Sequence, residues 1–166
     1  MPQLSKKMSG ALNDQINMEL ASAYTYLSMS AYCDEASLKG AASWLRVQWE
    51  EELAHAMKLI DYIAERGGGI TLKAIAQPPS QFDSLLDVFE QVLAHEQKVT
   101  AAIHKIYDLA VAENDYASQA FLQWYVNEQV EEESSAAEVI SMLRLAGDTG
   151  PALLMVDRRL AERART

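Results

Sequence analysis

Glu50-Glu51-Glu52-Leu53-Ala54-His55 sets three carboxylates and an imidazole in the middle of a long stretch with helical periodicity. Glu52 and His55 are three residues apart, so on a helix they lie one turn above the other on the same face and can reach a single metal ion. The same six residues also fit a solvated acidic face with one histidine, since charge runs usually face water. The rest of the chain decides between these readings.

Four segments carry apolar residues alternately three and four apart, as expected of helices buried along one side. From about Ser5 to Asp34 the stripe is Leu12, Ile16, Glu19, Ala23, Tyr26, Ser30. From about Lys39 to Arg66 it is Leu45, Trp49, Glu52, Ala56, Leu59, Ile63, with His55 on its flank. The third, from about Phe82 to Ala112, is Leu85, Phe89, Val92, Glu96, Val99, Ile103, Ile106, Ala110. The last, from about Tyr116 to Ala146, is Leu122, Tyr125, Gln129, Glu132, Ala136, Val139, Leu143. Each stripe turns polar only near its midpoint, at Glu19, Glu52, Glu96, and Gln129 with Glu132. A carboxylate at a core position is costly unless it is paired, protonated or bound to a metal, so four together call for one explanation. All fall at about mid-height in their helices, given about 1.5 Å of rise per residue. They can converge on one spot.

Short connections around Glu35 to Leu38 and at Glu113-Asn114-Asp115 make two antiparallel hairpins. Between helices two and three, Gly67-Gly68-Gly69 stops one helix and Pro78-Pro79 delays the next until Phe82. Extended, Gly67 to Gln81 reaches roughly 50 Å, enough to travel the length of a helix and leave helices two and three parallel. The fold expected is an all-α four-helix bundle over about 5–146 with one long crossover, within a single domain spanning 1–166. Gly147 to Pro151 then starts a short fifth helix over about 151–164, with Thr149 as its cap. A four-helix core has no room for it, so it packs outside or against another subunit.

Composition narrows the function. At 166 residues the chain can bury a substantial core, and no apolar run nears the ~20 residues needed to span a bilayer. The basic N-terminus lacks the apolar segment of a secretory signal, and a cytoplasmic protein with no membrane role is expected. A lone Cys33 excludes an internal disulfide and a paired-cysteine metal knuckle. A net charge of -10, from 24 acidic and 14 basic residues, argues against nucleic acid and draws cations.

Oxygen ligands with one imidazole suit iron, manganese or zinc. Two ions use the set better than one: Glu52 can bridge, with Glu19 and His55 on one ion and Glu96 and Glu132 on the other. Di-iron carboxylate bundles as a class carry Glu-x-x-His on two helices and a lone Glu on the other two. Here helix four has Gln129-x-x-Glu132, so the second ion is held by oxygen alone. A weaker, exchangeable site favours iron as a substrate over a retained cofactor. Glu51, Glu128 and Glu131 stand one residue off the core stripe and suit a third cation site, an exit path or a solvated patch. Tyr26 and Trp124 could donate an electron to oxygen or simply fill the core. His95 and His104 read as surface residues.

Glu19, Tyr26, Glu51-Glu52-Leu53-Ala54-His55, Glu96 and Trp124 with Glu128-Gln129-Val130-Glu131-Glu132 together resemble the bacterial non-haem ferritins over essentially the whole chain. Leu12-Asn13-Asp14-Gln15 and Pro78-Pro79-Ser80 share the likeness. The resemblance implies a ferroxidase that oxidises Fe(II) with oxygen or hydrogen peroxide, using Glu19, Glu52, His55, Glu96, Gln129 and Glu132. It assigns Glu51, Glu128 and Glu131 to a third iron site and Tyr26 to electron donation. It further implies a cage of 24 subunits storing ferric oxyhydroxide. Haem-carrying relatives have methionine where Leu53 stands, so no haem is expected. A rubrerythrin-like di-iron redox enzyme that retains both metals is the alternative, although its second Glu-x-x-His and paired cysteines are missing here.

Overall fold

The computed structural model describes residues 3–147 and 149–163. Five helices follow one another: α1 (Lys6–Glu35), α2 (Lys39–Glu65), α3 (Leu85–Ala112), α4 (Tyr116–Ala146) and α5 (Gly150–Leu160), with no strand among the described residues. Side-chain caps begin three of the long helices. Ser5 accepts from the Met8 amide, Ser84 from the Asp87 amide and Asp115 from the Ser118 amide. The Ser84 cap explains why α3 starts at Leu85 and not at Phe82. Phe82 instead packs edge-on against Tyr32, with ring centroids 5.1 Å apart.

Contacts along the helices give the topology. Tyr62 meets Ser118, and Gln48 meets Glu132, so α2 and α4 are antiparallel. Tyr32 meets Phe82 at one end of α1, and Ser5 meets Glu113 at the other, so α1 and α3 are also antiparallel. Because α1 and α2 form a hairpin, α2 and α3 run parallel, as the crossover demands. That crossover is strapped along α1. Asn13 donates to the Gly69 carbonyl and accepts from the Thr71 amide, Lys73 pairs with Asp14, and Ser28 donates to the Pro79 carbonyl.

The core has two apolar clusters. One gathers Met29, Leu45, Phe89 and Val139, and the other Leu12, Leu59, Ile103 and Leu122. The midpoint carboxylates lie between them in sequence on every long helix. Nearly every stripe position is buried; Trp49 is half-exposed, and its neighbour Gln48 takes the inward place.

The fifth helix packs on the outside of its own bundle, touching α2 and α4, with Val156 and Leu160 joining the first cluster. It starts one residue earlier than expected and ends at Leu160, and residue 164 lies outside the described residues. Thr149 occupies the cap position, but its side chain makes no capping bond. The same holds for Leu38 at the start of α2, where Asp157 of α5 supplies the acceptor instead: its carboxylate takes the Gly40 and Ala41 amides at 3.0 and 2.8 Å. Gly40 permits this approach, since a Cβ there would stand 1.7 Å from the Asp157 carbonyl oxygen.

Candidate metal centre

Glu19 of α1, Glu52 and His55 of α2, Glu96 of α3, and Gln129 and Glu132 of α4 meet inside the bundle, none more than 6 % exposed. Their ligand atoms fall into overlapping trios whose members lie within 4.8 Å of one another: Glu19, Glu52 and His55; Glu52, Glu96 and Glu132; and His55, Glu128 and Glu132. Glu52 belongs to the first two, the position a bridging carboxylate needs. The His55 ring addresses both sides. Its Nδ1 lies 3.6 Å from Glu52 Oε2 and 4.0 Å from Glu19 Oε2, while Nε2 lies 3.7 Å from Glu128 Oε1.

Amides and a phenol hold most of the remaining oxygens. Gln15 donates to Glu19 Oε1 at 2.7 Å, and Gln48 donates to both Glu52 Oε1 and Glu132 Oε2, at 3.0 and 2.7 Å. Tyr26 gives its hydroxyl proton to Glu96 Oε1, and Gln129 donates to Glu96 Oε2 at 3.1 Å and to Thr100 at 3.2 Å. Tyr125 steadies the histidine turn by donating to the His55 carbonyl at 2.7 Å. Glu19 Oε2 is buried with no hydrogen-bond partner. A buried acceptor without a donor is costly, and a cation would satisfy it.

Electrostatics point the same way. Burial, then the neighbouring Glu52, push Glu19 well above the usual carboxylate range; burial, then Glu96, do the same to Glu52. Burial and Glu96 push Glu132 up to about 8. Burial and Glu96 also raise the Tyr26 phenol, which keeps its proton and donates it. Carboxylates this close cannot all ionise without a counter-cation. The donor set, oxygen apart from one imidazole, fits a hard or borderline metal such as iron.

A ferritin-like domain model matches residues 9–146. The chain is 41 % identical over 161 residues to a bacterial non-heme ferritin of Staphylococcus haemolyticus, covering 97 % of each, and 42 % identical over 155 residues to one from Campylobacter jejuni, covering 93 % of each. The chain belongs to the ferritin family. Among solved structures, an engineered closed form of the Archaeoglobus fulgidus ferritin superposes with a TM-score of 0.97 at 52 % identity, covering 99 % of this chain and 100 % of that one. The open-pore ferritin of the same archaeon gives 0.96 at 52 % identity, covering 98 % and 100 %.

Within this ferritin the remaining predicted residues are spread out. Glu128 is half-buried beside His55, and burial raises its carboxyl pKa. Glu131 is exposed, whereas Glu51 is bound by Arg163 at 2.6 Å, so among the described residues the three form no close trio. Trp124 stands edge-on to His55 at 5.3 Å, with the Lys58 ammonium 4.4 Å from its ring centre. The surface reading holds for His104 and fails for His95. His95 is half-buried between α1 and α3, with Nε2 2.5 Å from Ser22 Oγ and its ring 6.0 Å from that of Tyr26, and burial lowers its pKa. The stripe missed it because His95 faces the α1 neighbour at the flank of its helix, not the bundle axis.

Sequence reasoning also passed over Gln15 and Gln48 as donors. A signal existed: each stands four residues before a stripe glutamate, Gln15 before Glu19 and Gln48 before Glu52, which stacks amide on carboxylate along a helix. Arg163 had no such signal, since a contact to Glu51 across 112 positions depends on how α5 folds back.

Proposed function

We propose that this protein stores iron as a ferritin, oxidising Fe(II) at a di-iron site within each bundle and keeping the ferric product as an oxyhydroxide mineral inside a hollow cage. Iron is the substrate and cargo. The observation that carries the reading is the mid-bundle layer in which all four long helices supply buried ligands while Glu19 Oε2 goes unpartnered. Glu19 and His55 serve one ion, Glu96 and Glu132 the other, and Glu52 both. Gln129 offers its amide oxygen to the second ion once the amide turns from Glu96. Two Fe(II) ions together supply the two electrons that take dioxygen to peroxide, or peroxide to water. Tyr26, bonded to Glu96, is the nearest phenol able to add another.

Glu51, Glu128 and Glu131, which lie apart here, would draw together around a third cation beside the pair. One ferritin-like domain spans 1–166, two dozen copies close the cage, and the cytoplasm is its setting. No helix is long and apolar enough to cross a membrane among the described residues. The A. fulgidus ferritin has an open-pore form and an engineered closed form.

Aerobic Fe(II) added to the apo-protein is expected to consume oxygen and deposit iron far beyond a few ions per chain. Saturation at two or three retained ions would overturn storage and favour the redox-enzyme alternative. Glu52→Ala with His55→Ala should slow oxidation by roughly a hundredfold or more, since ligands to both ions are lost. Unchanged oxidation would make the layer merely structural.

A further inference from the structure

Arg163 lies just beyond α5, a helix that its own packing holds in place through Val156, Leu160 and the Asp157 bonds to Gly40 and Ala41. From there its guanidinium reaches the edge of the metal centre. One nitrogen donates to Glu51 Oε2 at 2.6 Å, both approach Gln48 Oε1 at 3.1 Å, and the group stands 4.2 Å from the centre of the Trp44 ring. Arginine has donors only, so it fixes the Gln48 oxygen toward itself and the Gln48 amino group toward Glu52 and Glu132. The reversed amide would set donors against the guanidinium and an oxygen against two carboxylates. The ion pair is itself partly withdrawn from water, with side chains 21 % and 24 % exposed, and this strengthens it over an open surface pair.

We propose that Arg163 is a positioning residue that acts as a built-in counter-cation: it occupies Glu51 and aims the Gln48 amide, so that a metal ion at the Glu51 site and the C-terminal segment compete for one carboxylate. This rests on reading Glu51 with Glu128 and Glu131 as a third cation site. By linkage the competition is reciprocal. An ion drawn to Glu51 loosens the end of α5, and a docked α5 weakens the ion's hold there. The inner ions feel Arg163 only through Gln48.

Zn(II), titrated calorimetrically into the assembled apo-protein, tests this without redox chemistry. Arg163→Ala should tighten the Glu51-dependent site about tenfold while the inner sites move less, a typical size for coupled sites. Glu51→Gln should remove that site in both backgrounds. Arg163→Lys, which keeps the charge and loses the fork, should tighten it by only about threefold, and it carries the test if the alanine variant does not assemble. Hydrogen exchange over Gly150 to Arg163 should quicken on Zn(II) addition in the parent protein and not in Glu51→Gln. If Glu51→Gln removes a bound ion but Arg163 variants bind it with parental affinity, the counter-cation role is wrong and the third site stands. If no bound Zn(II) depends on Glu51 in either background, the third site falls, and the role of Arg163 falls with it.

Discussion

Gln48 shows how much of a metal centre's behaviour is set by residues that never touch the ion. Its single amino group serves two carboxylates on different helices, Glu52 and Glu132. Replacing it with leucine keeps the volume and removes the donor, and loss of such outer partners typically costs 10–100-fold in metal affinity. Gln48→Leu is therefore expected to weaken Zn(II) binding by about tenfold with the fold intact, measured by calorimetry beside a thermal melt. Protons compete for the same oxygens. Glu132 titrates near 8 in the apo-protein against an ordinary 4.5, so between those values the folded chain holds a proton that the unfolded chain has released. The stability this residue contributes is full below about 4.5 and is lost as pH rises through about 8. Glu19 and Glu52 act in the same direction. Melting of the apo-protein should thus fall from pH 5 to pH 8, and Zn(II) should abolish or reverse that fall. An apo-protein that melts higher at pH 8 than at pH 5 would contradict it.

At the scale of elements, the long helices were legible because a stripe repeated at three and four residues can hide only along a helix axis. The midpoint glutamates were legible because they break that stripe at matched depth. Element ends were less so: α3 waits for the Ser84 cap, which no hydrophobic pattern marks. The attachment of α5 was hidden for a different reason. Asp157 caps α2 through the Gly40 amide, 117 positions earlier, a contact fixed by chain reversal and not by local sequence. Asp157→Ala leaves the Gly40 and Ala41 amides buried without an acceptor and should cost roughly 1–2 kcal/mol in thermal or denaturant unfolding, the usual worth of a helix cap. Gly40→Ala should act differently, forcing α5 off the bundle by steric contact while the long helices stay folded. Faster hydrogen exchange in Gly150 to Leu160, with exchange in the α2 interior unchanged, is the expected signature.

For the whole molecule, large apolar side chains remain in water on an isolated subunit, among them Val130, Leu145 and Met155 at 69, 89 and 73 % exposed. Leu145 lies at the end of α4 and Met155 midway along α5, natural places for contact with other copies. Removing residues 147–166 takes α5 away and uncovers part of the first apolar cluster, so the truncated protein should form a different or smaller assembly while staying helical. Size-exclusion chromatography with light scattering reads this directly, and an unchanged particle would refute it. The carboxylate layer has one more effect. A periodic apolar stripe alone lets a helix slide along its neighbours by one turn, about 5.4 Å, and still bury aliphatic groups. Here such a slip would press Glu96 or Glu52 against Leu and Ile of the adjoining clusters and separate it from its partners. The layer therefore works as a ruler, fixing the vertical alignment of all four helices before any ion arrives.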